Sequence, residues 1–466
     1  MSRMTRRDFI EKALVMAAVP VVPAFAAAND RLRIAVAGVR GRGRKIAEAF
    51  AKMGDVEVVT ICDVDENIVG PAMKAASDAS GKKAAFVLDF RRVIEDKSID
   101  AVAIATPNHT HALLSIWAAQ AGKHVYVEKP LSHNVWEGRK VVEAARKYNV
   151  CIQHGTGNRS RDDLRRALAF VHKGGLGKVE IARGFCYKRR ESIGKTPESP
   201  VPPGVDYDLW LGPAPLRVYS KNRFHYNWHW HWDYGNGDIG NEGVHHMDVA
   251  RWALGKYELP RKILSIGGRF GYEDDGETAN TQIAWFDYGD SQLLFEVRGL
   301  ATEPYREVTI GCVIGCAEGS LSGTKLTKSD GTPTPLANPA GEGGSDHFRN
   351  FVDAVKSGKP QSLTADVQEG HLSSALCHLA NISYRLGRLQ PLAKNDPFGE
   401  IPDANEAFER MRHHLQANGV DLERTQLRVG RALTLDPKAE TFVGDAEADA
   451  MLSREYRKPF VVPEKV

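Results

Sequence analysis

The sequence has no long apolar run and almost no net charge. No stretch of about 18 or more apolar residues occurs in its 466 residues, so we expect no membrane span in the mature protein. Lysine and arginine number 62 against 59 aspartate and glutamate, which leaves a formal net charge of +3. Proteins that hold nucleic acid gather basic residues on one face, and we therefore expect no nucleic-acid partner.

The six cysteines form neither a zinc pattern nor a disulfide framework. Only Cys312 and Cys316 lie close together, and the three residues between them are not the spacing of paired zinc ligands. An oxidising compartment would permit a disulfide between them, but we expect buried free thiols. The chain also has no internal repeat and no low-complexity segment, which leaves two or three ordinary globular domains.

The first 28 residues differ from the rest and have the layout of an export signal. A basic start precedes an apolar stretch over residues 13–22 and small residues at Ala24 and Ala26. Residues 5–10, TRRDFI, resemble the twin-arginine motif that addresses proteins to the Tat translocon. We therefore predict a twin-arginine signal peptide over residues 1–28, export to the periplasm or beyond, and the Tat machinery as a partner. An N-terminal amphipathic helix is the alternative.

Short apolar segments alternate with helical patterns over residues 31–154. The predicted strands cover residues 34–37, 56–62, 84–87, 101–107, 124–130 and 150–155, and the predicted helices cover 45–53, 67–77, 90–95, 111–121 and 135–148. This alternation predicts an α/β domain with a doubly wound parallel sheet, the Rossmann dinucleotide-binding architecture. Residues 155–395 read as an α+β domain with a mostly antiparallel open sheet, and residues 396–466 as an extension that packs back on the body.

A glycine-rich turn, GVRGRG, lies between the first strand and the first helix. Glycines at this turn let the backbone approach a pyrophosphate at the helix N-terminus, and an acid ending the next strand binds the adenosine ribose. We therefore predict an NAD site at Gly38, Arg40, Gly41, Arg42, Gly43 and Asp63. The carboxylate favours NAD, although Arg40, Arg42 or Arg44 could pair with the 2′-phosphate of NADP. A doubly wound domain that binds nothing, or another ligand, is the alternative.

Four stretches resemble one family, the oxidoreductases named for glucose–fructose oxidoreductase, inositol dehydrogenase and MocA (Gfo/Idh/MocA). They are residues 35–43 with CDVD at 62–65, residues 100–132 with VYVEKPLS, residues 233–254, and the tail 430–460, which resembles an exported bacterial subgroup. The resemblance implies an NAD(P)-dependent oxidoreductase acting on a secondary hydroxyl group of a sugar or polyol. It also implies a homo-oligomer joined through the open face of the second sheet.

By this resemblance, Lys129 in the EKP loop points at the substrate hydroxyl and the nicotinamide ribose. Partial burial and a positive nicotinamide both lower the pKa of a lysine, which suits Lys129 to acid–base catalysis. A solvated surface lysine is the alternative. The cofactor is predicted to lie against residues at the neighbouring strand ends, namely Thr106, Pro107, Asn108, His111, Glu128 and Lys129.

The segment 224–248 is rich in histidine and aromatic residues. Aligning its GVHHMD with the family pattern places the family histidine at His245 and leaves Asn241 where the family has aspartate. Because asparagine cannot take a proton, acid–base work falls to His245 and Lys129, with Asp238 as a candidate replacement. Metal binding by His229 and His231, or simple packing, is the alternative, and no metal is predicted. Predicted substrate contacts are Asn158, Arg159, Trp230, Asp238, Asn241 and His245.

The favoured function is sugar or polyol oxidation with a tightly bound, recycled cofactor, because an exported protein meets no free NAD pool. The alternative is a redox-neutral NAD-dependent glycosidase or lyase that works through a transient keto-sugar. A non-catalytic sugar-binding protein on the same fold is a third possibility, but it would be expected to lack the acid–base pair.

Overall fold

Residues 31–336, 346–393 and 396–466 are described by a computed structural model of the chain. The predicted signal peptide lies outside these residues. Within the described ranges, no helix is both long enough and apolar enough to cross a membrane.

The first domain is a parallel sheet with helices on both faces. Its strands are β1 (Leu32–Ala37), β2 (Val56–Cys62), β3 (Ala85–Val87), β4 (Ala101–Ile104), β5 (His124–Val127) and β6 (Ile152–His154). Its helices are α1 (Arg42–Ala51), α2 (Gly70–Ser80), α3 (Phe90–Glu95), α4 (Asn108–Gln120) and α5 (Val135–Lys147). The strand order β3-β2-β1-β4-β5-β6 confirms the predicted doubly wound fold, and the order reverses between β1 and β4.

Burial on both faces explains why these strands are apolar along their whole length. On β1, Ile34 and Val36 pack with Phe50 of α1 on one side. Ala37 of the same strand packs with Leu113 of α4 on the other side. A sheet covered twice needs apolar residues at successive positions, so the short apolar runs in the sequence mark its strands well.

The second domain is built on a mixed sheet. Its strands are β7 (Val179–Tyr187), β8 (Lys262–Gly268), β9 (Thr281–Asp287), β10 (Gln292–Arg298), β11 (Ile310–Cys316), β12 (Gly319–Ser322), β13 (Lys325–Lys328), β14 (Pro333–Thr334), β15 (Arg388–Pro391), β16 (Gln426–Val429), β17 (Leu433–Asp436) and β18 (Thr441–Phe442). The order is β14-β13-β12-β11-β7-β10-β9-β8-β16-β15, with β17 also on β8. The pair β7–β10 is parallel and the other described pairs are antiparallel, as predicted.

The remaining helices cover this sheet and join it to the first domain. They are α6 (Asp162–His172), α7 (Tyr207–Leu211), α8 (Gly237–Asn241), α9 (Gly243–Ala253), α10 (His347–Ser357), α11 (Val367–Arg385), α12 (Pro402–Ala417) and α13 (Ala446–Ala450). Helices α9 and α11 pack on one face of the sheet. Helix α10 instead completes the core of the first domain, where Phe351 meets Phe50.

The face of the second sheet that was predicted to be open is covered by the chain itself. Phe408 and Met411 of α12 pack against Leu264, Ile283 and Leu294 of the sheet. The predicted oligomer interface on this face is therefore wrong, because a helix of the C-terminal extension occupies it. Oligomerisation itself stays a prediction.

Candidate active site

A cavity of about 1050 Å³ lies at the carboxyl ends of the first sheet's strands and is closed by the second domain. Its volume is at the upper end of the range of about 300–1000 Å³ that is usual for ligand pockets. The loops after β1, β2, β4 and β5 form one wall. Helices α8 and α9 and the long segment after β7 form the other. The cavity therefore lies where an open α/β sheet binds its ligands.

Two glycines give the loop after β1 its shape. Gly38 has a φ of +80°, and a Cβ on it would lie 2.5 Å from the backbone nitrogen of Thr106. A Cβ on Gly43 would lie 1.9 Å from the carbonyl oxygen of Gly38. Gly43 is outside the cavity wall, but its missing side chain is what lets α1 start so close to the loop.

The N-terminus of α1 is suited to an anion. In the described structure, its N-cap residue Gly41 makes no side-chain capping bond, and its first turn contains no acidic residue. The first amides of a helix have no intrahelical acceptor and carry partial positive charge. With the glycine-shaped loop beside them, these groups fit the pyrophosphate of a dinucleotide.

Acidic side chains line the cavity beyond this loop. The Asp63 carboxylate accepts hydrogen bonds from the backbone N–H of Val39 at 2.7 Å and of Asp65 at 3.1 Å. Burial raises the pKa of Asp63 to about 6, although both amide hydrogen bonds act against this shift. Asp65 and Asp89 also line this end. Asp63 therefore orders the glycine loop and also faces the cavity.

Lys129 reaches from the EKP loop across to the second domain. Its Nζ donates hydrogen bonds to the carbonyl oxygen of Asn241 at 2.6 Å and to the Asn241 Oδ1 at 3.3 Å. Burial lowers the pKa of Lys129, and the nearby carboxylates of Glu128 and Glu242 limit the shift. Glu128 in turn pairs with Arg42 of the glycine loop at 2.7 Å.

His245 lies on α9 and lines the same part of the cavity. Burial lowers the pKa of His245 well below its ordinary value, and the positive charge of Lys129 lowers it further. The imidazole is therefore neutral near pH 7 and able to accept a proton. A proton acceptor and a lysine with a lowered pKa thus share one wall of the cavity.

Glu242 is a site carboxylate that the sequence analysis missed. It lines the cavity, and Lys188 donates to its Oε2 at 2.8 Å. Burial alone would raise the pKa of Glu242, but the Lys188 hydrogen bond and the charges of Lys188 and Lys129 lower it overall. Its signal was its position next to Asn241, where the family pattern has an acid.

His229 and His231 do not converge on a common point. His229 lines the cavity, whereas the Nε2 of His231 lies 3.0 Å from the carbonyl oxygen of Asn222. Among the described residues, no group of three or more His, Cys, Asp or Glu side chains is placed to hold a metal ion. Cys312 and Cys316 are both buried free thiols, as expected.

Two family profiles match the chain. Residues 32–156 match an oxidoreductase family with an NAD-binding Rossmann fold, and residues 171–290 match the C-terminal α/β domain of the same family. The chain belongs to the Gfo/Idh/MocA oxidoreductase family. The prediction of an NAD-binding first domain is therefore confirmed.

Curated relatives match over parts of their length. Myo-inositol 2-dehydrogenase of Thermotoga maritima is 30% identical over 54% of this chain and 63% of its own length. Levoglucosan dehydrogenase of Pseudarthrobacter phenanthrenivorans is 28% identical over 38% of each chain. A glycosyl hydrolase family 109 protein of Stenotrophomonas maltophilia is 31% identical over 44% of this chain and 48% of its own length. The chain thus matches less than two thirds of each of these relatives.

Solved structures of the family share the fold. A levoglucosan dehydrogenase in complex with NADH and levoglucosan aligns with a TM-score of 0.56 and 18% identity, over 76% of this chain and 98% of that one. The WlbA dehydrogenase of Bordetella pertussis, in complex with NADH and UDP-GlcNAcA, aligns with a TM-score of 0.53 and 20% identity, over 74% and 94%. At these identities the likeness bears on the fold alone.

The structure brings most of the predicted site residues together. Those that line the cavity are Gly38, Arg40, Gly41, Arg42, Asp63, Thr106, Pro107, Glu128, Lys129, Asn158, Asn241 and His245. Asn108 and His111 lie behind the wall, because α4 begins at Asn108 and draws both side chains into the helix. The two ring nitrogens of His111 lie 2.7 Å from the carbonyl oxygens of Pro130 and Thr106, so His111 supports the EKP loop.

Three predicted substrate contacts are wrong. Asp238 is 1% exposed, and Arg190 binds it at 2.6 Å. Arg159 is buried and paired with Asp248 at 2.9 Å. Trp230 is also buried, beneath the guanidinium group of Arg190 at 5.2 Å from its ring centroid. Each side chain is used inside the protein, and none of the three lines the cavity.

The aromatic side chains that do line the substrate end come from the same segment as Trp230. They are Tyr226 and Trp228, with His229 stacked on Trp228 at a centroid distance of 3.6 Å. The composition of the segment predicted an aromatic wall. The residues that form it could not be chosen, because the segment is irregular and its side chains follow no period.

Removing the charge of Asp238 should lower stability rather than catalysis. Asp238→Asn leaves the buried Arg190 without its counter-ion, and we expect unfolding to become easier by about 3–5 kcal/mol. Asp78→Asn, which breaks an exposed ion pair with Lys74, should cost about 1 kcal/mol or less. Urea unfolding measures both variants. A wild-type unfolding midpoint together with lost sugar turnover would instead support Asp238 as an acid–base group.

Proposed function

We propose that this protein is an NAD-dependent oxidoreductase that oxidises a secondary hydroxyl group of a sugar or polyol. The observation that carries the proposal is one cavity with a dinucleotide-binding loop at one end and both Lys129 and a neutral His245 at the other. Bound NAD would supply the hydride acceptor. The relatives named for levoglucosan and myo-inositol dehydrogenation support the substrate class.

In this proposal the two side chains divide the proton chemistry. A ring nitrogen of His245 takes the hydroxyl proton as the carbon–hydrogen bond breaks, because its neutral form is present at neutral pH. Lys129 donates a hydrogen bond to the same oxygen and stabilises the negative charge that develops there. Tyr226 and Trp228 offer flat apolar faces with polar tips, which suit a sugar ring.

We propose NAD rather than NADP as the cofactor. Asp63, Asp65 and Asp89 face the end of the cavity where the adenosine ribose would lie, and three carboxylates would repel a 2′-phosphate. Arg40 lines the same region and is the cation that could pair with such a phosphate. Titrating the protein with NADH and with NADPH, and again after Arg40→Ala, tests the choice.

The pH dependence of turnover should report His245. Protonation removes its ability to accept the hydroxyl proton, and its pKa lies well below 6.5. We therefore expect kcat/KM to stay level as the pH falls through 6.5 and to drop only in more acidic solution. His245→Asn should lower kcat/KM by about 10²–10⁴-fold, whereas His413→Asn, at an exposed position on α12, should change nothing. An acid limb that persists unchanged in His245→Asn would contradict the assignment.

The test of function is a steady-state assay on a panel of sugars, polyols and glycosides, with and without added NAD. Accumulation of reduced nicotinamide that depends on one class of sugar supports the proposal. If no member of the panel is converted by protein shown to bind NADH, oxidation of this substrate class is excluded.

A second candidate is redox-neutral cleavage of a glycoside through a transient keto-sugar. It is favoured by the relatives named as glycosyl hydrolase family 109 proteins. The same Lys129 and His245 would serve, because oxidation acidifies the neighbouring carbon–hydrogen bond. The assay separates the two functions, since this one yields a cleaved glycoside without net formation of reduced nicotinamide.

We also propose that the protein is exported by the Tat pathway with its cofactor already bound. The basis is the twin-arginine pattern of residues 1–28. Replacing Arg6 and Arg7 with lysine should retain the precursor in the cytoplasm, as measured by cell fractionation. Equal export of the double variant would remove the support for this localisation.

The family resemblance supports a homo-oligomer, formed through a surface other than the sheet face under α12. Analytical ultracentrifugation measures its order, and a monomer at every concentration tested would contradict it.

A further inference from the structure

The adenosine end of the cavity includes a residue from the C-terminal tail. Phe460 lines this end together with Leu113 and Trp117 of α4, although it lies far beyond residue 290, where the second family profile ends. Its side chain is 5% exposed. The ring centroids of Phe460 and Trp117 are 6.3 Å apart.

Two guanidinium groups hold the ring of Phe460 in place. Arg91 lies 5.7 Å from the ring centroid and Arg457 lies 4.9 Å from it. Arg91 is itself held by Asp89, whose carboxylate lies 2.6 Å away. The ring position is therefore set by both the first domain and the tail.

Residues 454–466, which we name the C-terminal clasp, join parts of the chain that enclose the cavity. Arg457 donates from Nε to the carbonyl oxygen of Gly212 at 3.0 Å and from Nη2 to that of Asp208 at 2.7 Å. Gly212 lines the cavity itself. Arg454 donates to the carbonyl oxygen of Asp233 at 2.9 Å, and Lys147 of α5 bonds the carbonyl oxygen of Val466. The clasp thus ties the segment after β7 to the first domain.

We propose that Phe460 is a cofactor-binding residue that packs against the adenosine half of NAD, and that the C-terminal clasp slows release of the cofactor. The inference rests on the proposed use of NAD. An aromatic ring in this wall offers a flat apolar surface to a purine, and such contacts contribute substantially to the binding of a base. Because the clasp bonds the opposite wall, a dinucleotide leaves this end only when the clasp or that wall moves.

The test is the rate at which bound NADH leaves the full chain, measured by its fluorescence after mixing with excess NAD. Phe460→Ala should release NADH about 10-fold faster or more, and Phe460→Leu, which keeps an apolar side chain but loses the flat ring, should lie between it and the wild type. Val461→Ala, at an exposed neighbouring position, should release NADH at the wild-type rate.

Phe460→Leu carries the test if Phe460→Ala does not fold. Wild-type release rates in folded Phe460 variants would overturn the inference and leave the proposed function standing. A wild-type protein that binds no NADH would instead remove the proposed function.

Discussion

Replacing Lys129 with methionine is expected to lower kcat/KM for sugar oxidation by about 10²–10⁴-fold, the usual contribution of a positioned acid–base group. Methionine keeps the length of the side chain and removes its charge and its hydrogen bonds. Lys129 is the cationic end of a contact to Asn241 that spans the two walls of the cavity. Affinity for NADH should change much less than turnover, because the glycine loop and α1 are untouched.

Lys123→Met is the matched control for Lys129→Met. Lys123 is also buried, but its ammonium group donates to the carbonyl oxygens of Asp96 and Ile99, outside the cavity. Its loss should lower the unfolding midpoint and leave kcat/KM of the folded protein near the wild-type value. If Lys129→Met keeps wild-type kcat/KM, Lys129 has no part in the chemistry.

Gly43→Ala is expected to weaken NADH binding by about 100-fold or more, although Gly43 does not line the cavity. Its new Cβ would fall 1.9 Å from the carbonyl oxygen of Gly38 and 3.3 Å from the Cβ of Ala105. Overpacking of this kind costs about 1–3 kcal/mol and moves the backbone. The part that must move is the loop that would meet the pyrophosphate.

Gly54→Ala is the control for Gly43→Ala, because a Cβ on Gly54 meets no atom within 4 Å. Isothermal titration with NADH compares the two variants, and unfolding in urea shows whether each is folded. Wild-type affinity in a folded Gly43→Ala variant would show that the loop tolerates the shift, and the account of the third glycine would then be incorrect.

The first sheet and the catalytic wall were predictable because their signals are local. Strands covered on both faces are apolar along their length, and the turn GVRGRG and the EKP loop each lie within a few residues of a strand end. Chain order alone therefore placed Gly38, Asp63 and Lys129 at one edge. The start of α4 was predicted at residue 111 instead of Asn108, and this error put His111 in the wall instead of behind it.

The failures share a physical cause, which is pairing between residues that are distant in sequence. Asp238 looked free to act in catalysis, but its counter-ion Arg190 lies on another segment, and Arg159 is likewise neutralised by Asp248. No local pattern reveals such partners. The same holds for α12, whose apolar face matches the sheet but whose docking place is settled only by tertiary packing.

The most direct test of the central claim is a single turnover on protein loaded with NAD and freed of excess cofactor. The protein is mixed rapidly with each sugar, polyol or glycoside, and the absorbance of the bound nicotinamide is followed. The account predicts reduction of at most one nicotinamide per chain with one class of sugar, and a strongly slowed reaction in Lys129→Met. If no sugar reduces the bound NAD, or if Lys129→Met reacts as fast as the wild type, the account of this site is contradicted.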